Sequence, residues 1–277
     1  AYEEEGRLLA VSCQGRLHLV WARQLIVATG AQERFLLFPG NDLPGVYGAG
    51  AVQTLMNVYG IKPGERALMV GAGNVGLIVA YQLLQAGVEV VGVVEALPEI
   101  GGYHVHAAKL RRFSVPIYTR HTLVAALGEE GVEGAVIAEV DEGLQPIPGT
   151  ERELEVDLIC LAVGLSPSTR LVAQMGARMA YVGELGGWVP VHDERMETTV
   201  PGVYVAGDCA GIGEASTAML EGRLAALSVL EALGQEVEKE RREAWRALAR
   251  LRAGPFGLRP RVGKEKLFSL MQEMAYG

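Results

Sequence analysis

The stretch "RALMVGAGNVGLIVAYQLLQAGVEVVGVVE", residues 66–95, decides which fold the sequence predicts. An apolar run over 66–70 leads into a glycine loop, which is followed by a helical pattern and a second apolar run that ends at Glu95. A strand, a helix and a strand of these lengths predict a parallel βαβ unit. We therefore expect an α/β fold.

The glycine loop has the spacing G-x-G-x-x-G directly after the first predicted strand. Gly71 permits the tight turn, Gly73 lets a pyrophosphate approach the backbone, and Gly76 lets the helix pack closely on the strand. Asn74 and Val75 begin the helix, whose N-terminus faces the phosphates. The loop therefore predicts dinucleotide binding.

Glu95 lies about 20 residues beyond the loop, where the dinucleotide pattern places a carboxylate on the adenosine ribose hydroxyls. Such a carboxylate repels a 2′-phosphate, and the next residues, Ala96 and Leu97, supply no arginine to attract one. NAD is thus favoured over NADP. A different adenine nucleotide such as ATP, and a glycine turn that binds nothing, are the alternatives.

Three other apolar runs end in a small residue and a glycine, as strands do beside a bound cofactor. They are "LIVATGA" at 25–31, "ICLAVGL" at 159–165, which contains Gly164, and "VYVAGDCAG" at 203–211. The third run also sets an acidic residue, Asp208, at the end of its strand. A carboxylate in that place is typical of a site that holds the sugar chain of a flavin.

The composition excludes several classes of function. The 277 residues carry a net charge of −8, which argues against nucleic acid and anionic membranes as partners. No apolar run is long enough to span a bilayer and no secretory signal is visible, so a cytoplasmic location is expected. Three widely spaced cysteines without C-x-x-C argue against a disulfide framework, a zinc site and a dithiol redox centre.

Two other groups of residues are interpreted as solvated surface residues. His104 and His106 have no third ligand nearby, so they predict a solvated pair, and no metal site is expected. The arginine-rich run at 240–252 predicts a solvated helix face around Trp245 and Leu248.

Taken together, these motifs resemble the flavoproteins with two dinucleotide-binding domains, in which an NAD domain is inserted into an FAD domain of the pyridine nucleotide-disulfide oxidoreductase type. The resemblance covers about residues 5–235. Within these flavoproteins, the sequence is similar in particular to the α-type subunits of heteromeric amine and amino-acid oxidases. That group includes sarcosine oxidase, proline and hydroxyproline dehydrogenases, opine oxidases and hydrogen cyanide synthase. The stretches that carry the resemblance are "ATGAQERFLLFPGNDLPGV", "GAGNVG", "GLSPSTRL", "GGWVPV" and "TTVPGVYVAGDCAGIGEASTAMLEGRLAA".

The resemblance implies a division of the chain into four segments. Residues 1–50 and 166–235 would form the two parts of the FAD domain, 51–165 a Rossmann-like NAD domain, and 236–277 a helical tail. In the resembled family the first FAD strand, its glycine loop and its helix come before the point that corresponds to residue 1. The FAD domain is therefore expected to be truncated and the FAD site incomplete in this sequence.

The resemblance also implies roles for residues of the FAD site. Asp208 would bind the ribityl hydroxyl of the flavin, and Gly207 would allow the close approach. Ala28, Thr29 and Gly30 would line the same site.

By this resemblance the chain is a dinucleotide-binding subunit of a flavin-dependent oxidoreductase for a secondary amine or amino acid of the sarcosine, proline, hydroxyproline or opine class. FAD and NAD are the implied cofactors, with FMN at a subunit interface as a further candidate. A second flavoprotein subunit would carry the amine-oxidising site, and no catalytic residue can be assigned in this chain. The alternatives are a self-sufficient NADH-dependent FAD reductase and a non-catalytic nucleotide-binding scaffold.

A hetero-oligomer is expected, because a partner would cover the flank of the incomplete FAD domain. The tail offers one candidate docking element, a helical stripe of Leu267, Leu270, Met271 and Met274.

Overall fold

The computed structural model describes residues 2–3, 6–254 and 257–276, which form two compact units. One unit contains residues 33–164, and the other contains the described residues up to Gln32 and from Leu165 onward. From the resemblance the first boundary is expected at 50/51, whereas the first boundary between the compact units lies at 32/33. The reason is that residues 46–48 form an edge strand of the sheet inside the 33–164 unit.

The structure contains the following elements in chain order. The strands are β1 Tyr2–Glu3, β2 Gly6–Cys13, β3 Arg16–Ala22, β4 Leu25–Val27, β5 Ala31–Glu33, β6 Val46–Gly48, β7 Arg66–Val70, β8 Glu89–Glu95, β9 Ile117–Thr119, β10 His121–Leu127, β11 Gly134–Glu139, β12 Arg152–Glu155, β13 Leu158–Leu161, β14 Leu165–Pro167, β15 Met179–Val182, β16 Gly187–Pro190 and β17 Val203–Val205. The helices are α1 Ala49–Asn57, α2 Asn74–Gln85, α3 His104–Arg112, α4 Arg170–Gln174, α5 Ala215–Ala232, α6 Glu238–Arg252 and α7 Leu258–Tyr276.

The 33–164 unit is built on a parallel sheet with the strand order β6, β13, β7, β8, β9. Ala67 and Met69 of β7 pack in one apolar cluster with α2, while Leu68 and Val70 pack in a second cluster with β10 and β11. All four side chains are buried, because β7 is covered on both faces. A strand in that position requires a continuous apolar run, as "ALMV" supplies.

The predicted βαβ unit and the α/β fold class are confirmed, since β7 and β8 are parallel and α2 connects them. The sequence did not predict β10, which pairs with β11; β11 also pairs with β12, and the three form an antiparallel sheet. The polar strip at 141–155 contributes β12 to that sheet.

The other unit contains smaller sheets and the long helices. β2 and β3 form an antiparallel hairpin, β15 pairs antiparallel with β16, and β4 lies parallel to β17. Helix α5 begins at Ala215 and has 18 residues.

The tail forms α6 and α7, and the predicted stripe of α7 packs on its own unit. Leu267 is fully buried, and Leu270 and Met271 pack beside it on an apolar cluster that includes Leu185 and Val189. The side chain of Met274 lies outside the described part of the structure. None of the helices in the described residues is both long and apolar enough to cross a membrane.

We expect Leu267→Ala to lower the free energy of unfolding by about 2–5 kcal/mol, because it leaves a cavity in this cluster. Leu258→Ala is the matched control on α7, since Leu258 is 55% exposed and its truncation should cost about 0.5 kcal/mol or less. Urea unfolding measures both variants. Equal, small costs would show that α7 does not dock through Leu267.

Candidate functional site

The glycine loop lies where three parallel strands end, inside the 33–164 unit. The Gly71 N–H donates to the Val94 carbonyl oxygen at 2.7 Å, and the Ala162 N–H donates to that of Val70 at 2.7 Å. Gly71 has φ +103°, and a Cβ built on it would lie 2.3 Å from the Ala162 carbonyl oxygen. Only glycine fits at this position, because both the backbone angle and the available space exclude a side chain.

Gly76 and Gly73 meet different constraints. A Cβ on Gly76 would lie 2.0 Å from the Gly71 carbonyl oxygen, so this glycine allows α2 to pack against the turn. A Cβ on Gly73 would have no neighbour within 4 Å among the described residues. Gly73 therefore leaves clear the space over the N-terminus of α2.

The loop that follows β8 lies against the start of α2. The Gly102 N–H donates to the Ala72 carbonyl oxygen at 2.9 Å, and the Tyr103 N–H donates to Asn74 Oδ1 at 2.8 Å. The side chain of Asn74, one of the predicted cofactor residues, thus orders the protein's own loop. Val75 is half-exposed at the same end of the helix.

The Glu95 carboxylate is fixed at the end of β8. Its Oε2 accepts the Ala72 N–H at 2.9 Å, and its Oε1 accepts the Leu97 N–H at 3.0 Å. Each carboxylate oxygen can accept a second hydrogen bond. Glu95 therefore has a set orientation and still offers acceptor sites to a ligand.

A cleft with a volume of about 350 Å³ opens over this turn, within the range of small-molecule sites. Gly71, Gly73, Glu95 and Gly164, all predicted from the sequence, line it. The structure therefore brings these four residues together on one surface.

His121, Thr122 and Leu36 also line the cleft, and the sequence analysis missed them. His121 Nδ1 lies 2.8 Å from the Thr119 carbonyl oxygen, so the ring hydrogen belongs on Nδ1. Its Nε2 has no hydrogen-bond partner within the described chain and remains an acceptor. The signal that could have revealed His121 is its place just after β9, because ligands of parallel sheets bind at the carboxyl ends of strands.

A second group of predicted residues meets in the other unit, where β4 and β17 run side by side. The Ala206 N–H donates to the Val27 carbonyl oxygen at 3.1 Å, so residues 28–30 and 206–208 leave the sheet together. Gly30 and Gly207 adopt φ +68° and +71°.

Two side chains of this second group have partners in the same unit. The Thr29 hydroxyl donates to the Ser168 carbonyl oxygen at 2.6 Å, and Asp208 Oδ1 accepts the Gly213 N–H at 3.3 Å. Ala28, Thr29, Gly30, Gly207 and Asp208 thus form one surface at the ends of two strands.

Other chemistry-bearing residues are part of the packing. Cys209 is buried and its thiol donates towards the carbonyl oxygens of Val27 and Ala206 at 3.2 and 3.3 Å. Burial raises the pKa of the Cys160 thiol far above its ordinary value. Over residues 2–3, 6–254 and 257–276 no group of three or more metal-ligating side chains is close enough to hold a metal ion.

A family model described as pyridine nucleotide-disulphide oxidoreductase matches residues 5–222. The chain belongs to this family. It is thereby a member of a family of oxidoreductases that bind FAD and NAD(P). The family predicted from the sequence motifs is confirmed.

Curated relatives of this oxidoreductase chain include proteins named as enzyme subunits. The chain is 32% identical to an opine oxidase subunit of Rhizobium meliloti (strain 1021) over 262 residues, which are 86% of this chain and 54% of the relative. It is 31% identical to hydrogen cyanide synthase subunit HcnB of Pseudomonas aeruginosa over 273 residues, 90% of this chain and 58% of the relative. The chain thus spans little more than half the length of these relatives.

Among solved structures, the thioredoxin reductase of T. acidophilum has the same fold with a TM-score of 0.64. Its sequence is 22% identical, and the match covers 82% of this chain and 73% of the reductase. This likeness concerns the fold alone.

The two glycines of the loop give a paired prediction. Gly73→Ala should leave the free energy of unfolding unchanged within about 0.5 kcal/mol, because its methyl group enters open space. The same methyl group should weaken dinucleotide binding about tenfold or more, which corresponds to at least about 1.4 kcal/mol.

Gly76→Ala should instead destabilise the unit by roughly 1–3 kcal/mol, because its methyl group collides with the Gly71 carbonyl. Urea unfolding and titration with NADH separate the two effects. A stable Gly76→Ala variant, or a Gly73→Ala variant with full affinity, would contradict this description of the loop.

Proposed function

We propose that the chain is a dinucleotide-binding subunit of a flavin-dependent oxidoreductase that oxidises a secondary amine or an amino acid. In this proposal residues 33–164 form the NAD-binding domain, and the ends of β4 and β17 hold FAD. The observation that carries the proposal is the cleft over Gly71 and Gly73, where a helix N-terminus, an oriented carboxylate and three strand ends converge.

Several features of the 33–164 unit support a dinucleotide site. Helix α2 has no acidic residue in its first turn, so the positive end of its dipole is free to attract a pyrophosphate. The empty space at Gly73 lets that pyrophosphate reach the backbone N–H groups. Glu95, Gly164, Asn74 and Val75 complete the proposed NAD site.

The second surface fits part of a flavin nucleotide. Asp208 would accept a ribityl hydroxyl, and the positive φ of Gly207 turns the backbone so that the ligand can approach. Ala28, Thr29 and Gly30 would lie along the other strand end. Helix α5, which begins at Ala215 without an acidic residue in its first turn, would present backbone N–H groups to the cofactor.

When bound, FAD and NAD would supply the hydride and electron transfer, and the chain would bind and orient them. The sequence has three cysteines and no C-x-x-C, so a dithiol beside the flavin is not part of the proposal. Support for an amine or amino-acid substrate comes from the opine oxidase and hydrogen cyanide synthase relatives. Those relatives are named subunits, which supports a partner subunit. In this proposal the partner is a flavoprotein that carries the amine-oxidising site, and an FMN at the interface is a further candidate cofactor.

The carboxylate of Glu95 predicts a preference for NADH over NADPH. Glu95→Gln keeps an acceptor oxygen but removes the charge that opposes a 2′-phosphate, so the ratio of the two affinities should fall about tenfold, or about 1.4 kcal/mol. Isothermal titration calorimetry with both nucleotides measures the ratio.

Glu99→Gln is the control for this experiment, because Glu99 is an exposed carboxylate in the same loop. It should leave the ratio unchanged. If Glu95→Gln retained the wild-type ratio, Glu95 would not face the adenosine ribose.

The subunit proposal predicts that amine oxidation depends on a partner. Expressed with the products of neighbouring genes, the chain should copurify with a second flavoprotein that reduces a dye with sarcosine, proline, hydroxyproline or an opine. The chain alone should show no such activity. A chain that by itself contained flavin and oxidised NADH would contradict the subunit proposal and favour a self-sufficient reductase.

A further inference from the structure

Four buried polar side chains gather beneath the turn that carries Asp208. They come from four places in the chain: α5, the end of α6, α7 and the segment after β16. They are Glu221 and Lys264, each 3% exposed, Arg252, 7% exposed, and His192, fully buried. The sequence analysis expected residues 240–252 to form a solvated helix face, but Arg252 is buried by these contacts.

Glu221 connects the turn to the two C-terminal helices. Its Oε2 accepts the Gly207 N–H at 3.0 Å. Its Oε1 accepts a hydrogen bond from Arg252 Nη2 at 2.5 Å and lies 3.2 Å from Lys264 Nζ. The carboxylate that holds the first residue of the turn is therefore itself held by α6 and α7.

Lys264 reaches the other end of the same turn. Its Nζ donates to the Ala210 carbonyl oxygen at 2.9 Å and lies 3.1 Å from His192 Nε2, in addition to its contact with Glu221. An ammonium group has three N–H donors. All three are therefore directed at partners in the same unit.

His192 is held in the state that accepts the Lys264 hydrogen bond. Its Nδ1 lies 2.8 Å from the Pro190 carbonyl oxygen, which assigns the ring hydrogen to Nδ1 and leaves Nε2 as the acceptor. Burial, followed by the charge of Lys264, lowers the pKa of His192 well below its ordinary value. The imidazole is therefore neutral, as an acceptor must be.

The close approach of α7 makes these contacts possible. Gly263 precedes Lys264, and a Cβ built on it would lie 2.5 Å from Leu185 Cγ. A larger residue at this position would require Leu185 or α7 to shift. Leu267, one helical turn beyond Gly263, anchors the same face of the helix.

We propose that Glu221, Arg252 and Lys264 form a clamp through which α6 and α7 fix the turn from Gly207 to Ala210, so that flavin affinity depends on the docking of the C-terminal helices. The clamp residues are positioning residues, because they hold the turn and not the cofactor. The inference rests on the proposed function for the identity of the ligand. The contacts that define the clamp do not depend on it.

The clamp connects the Gly207 N–H with Lys264 through the Glu221 carboxylate. Gly207 has a positive φ, and its N–H is directed at α5, where the buried carboxylate of Glu221 accepts it. Two cations share one carboxylate in the interior, and removal of one partner of such a group leaves an uncompensated buried charge. A substitution at Lys264 should therefore loosen the backbone at Gly207, although the two residues are not in direct contact in this network.

Hydrogen–deuterium exchange of the flavin-free chain tests the clamp directly. In Lys264→Met and in Glu221→Gln, backbone exchange of residues 203–214 should rise about tenfold or more, while exchange of residues 66–77 in the other unit stays at the wild-type rate. Arg261→Met is the control, because Arg261 lies on α7 in an exposed pair with Glu265. The control should leave both segments unchanged.

Fluorescence titration with FAD then measures the consequence for binding. Lys264→Met and Glu221→Gln should raise the FAD dissociation constant about tenfold, and Arg261→Met should not. Unchanged exchange at 203–214 in both clamp variants, or an equal rise at 66–77, would overturn the clamp. A wild-type chain that takes up no FAD even together with its partner subunit would instead overturn the flavin assignment, and the exchange result would still decide the clamp.

Discussion

The contact between the turn at Gly71 and the end of β13 is the constraint on which the 33–164 unit depends. The strand ends of β7, β8 and β13 meet there, and the Ala162 carbonyl oxygen occupies the space that a Cβ on Gly71 would need. The turn directs α2 back across the sheet, and Gly76 allows the helix to pack against it. As a result the N-terminus of α2, Glu95 and Gly164 all face the same cleft.

The elements that the sequence predicted are those with local causes. The apolar runs, the glycine spacing and the helix pattern of the βαβ unit all lie in one continuous segment, residues 66–95. The unit could therefore be predicted from the sequence alone. The boundary at 32/33 depends on the pairing of β6 with β13, whose partner residues Val46 and Ile159 are far apart in the chain. Such a pairing has no local signal in the sequence.

The same distinction applies to the two candidate sites. Glycines and acidic residues at strand ends are visible in a sequence, because few other arrangements use them in that order. His121 carries no such pattern, since its importance comes from the position of β9 beside β8. The charges of Glu221, Arg252 and Lys264 resemble those of any exposed helix until the packing of α5, α6 and α7 buries them together. In both cases a tertiary contact gives an ordinary residue its place in a candidate site.

The central claim is that the 33–164 unit binds a dinucleotide with its pyrophosphate at the N-terminus of α2. A crystal structure of the chain grown with NADH tests this claim most directly. The account predicts pyrophosphate oxygens within hydrogen-bond distance of the backbone N–H groups that follow Gly73, and adenosine ribose hydroxyls at the Glu95 carboxylate. A dinucleotide bound elsewhere, or bound in this cleft with its ribose away from Glu95, would contradict it.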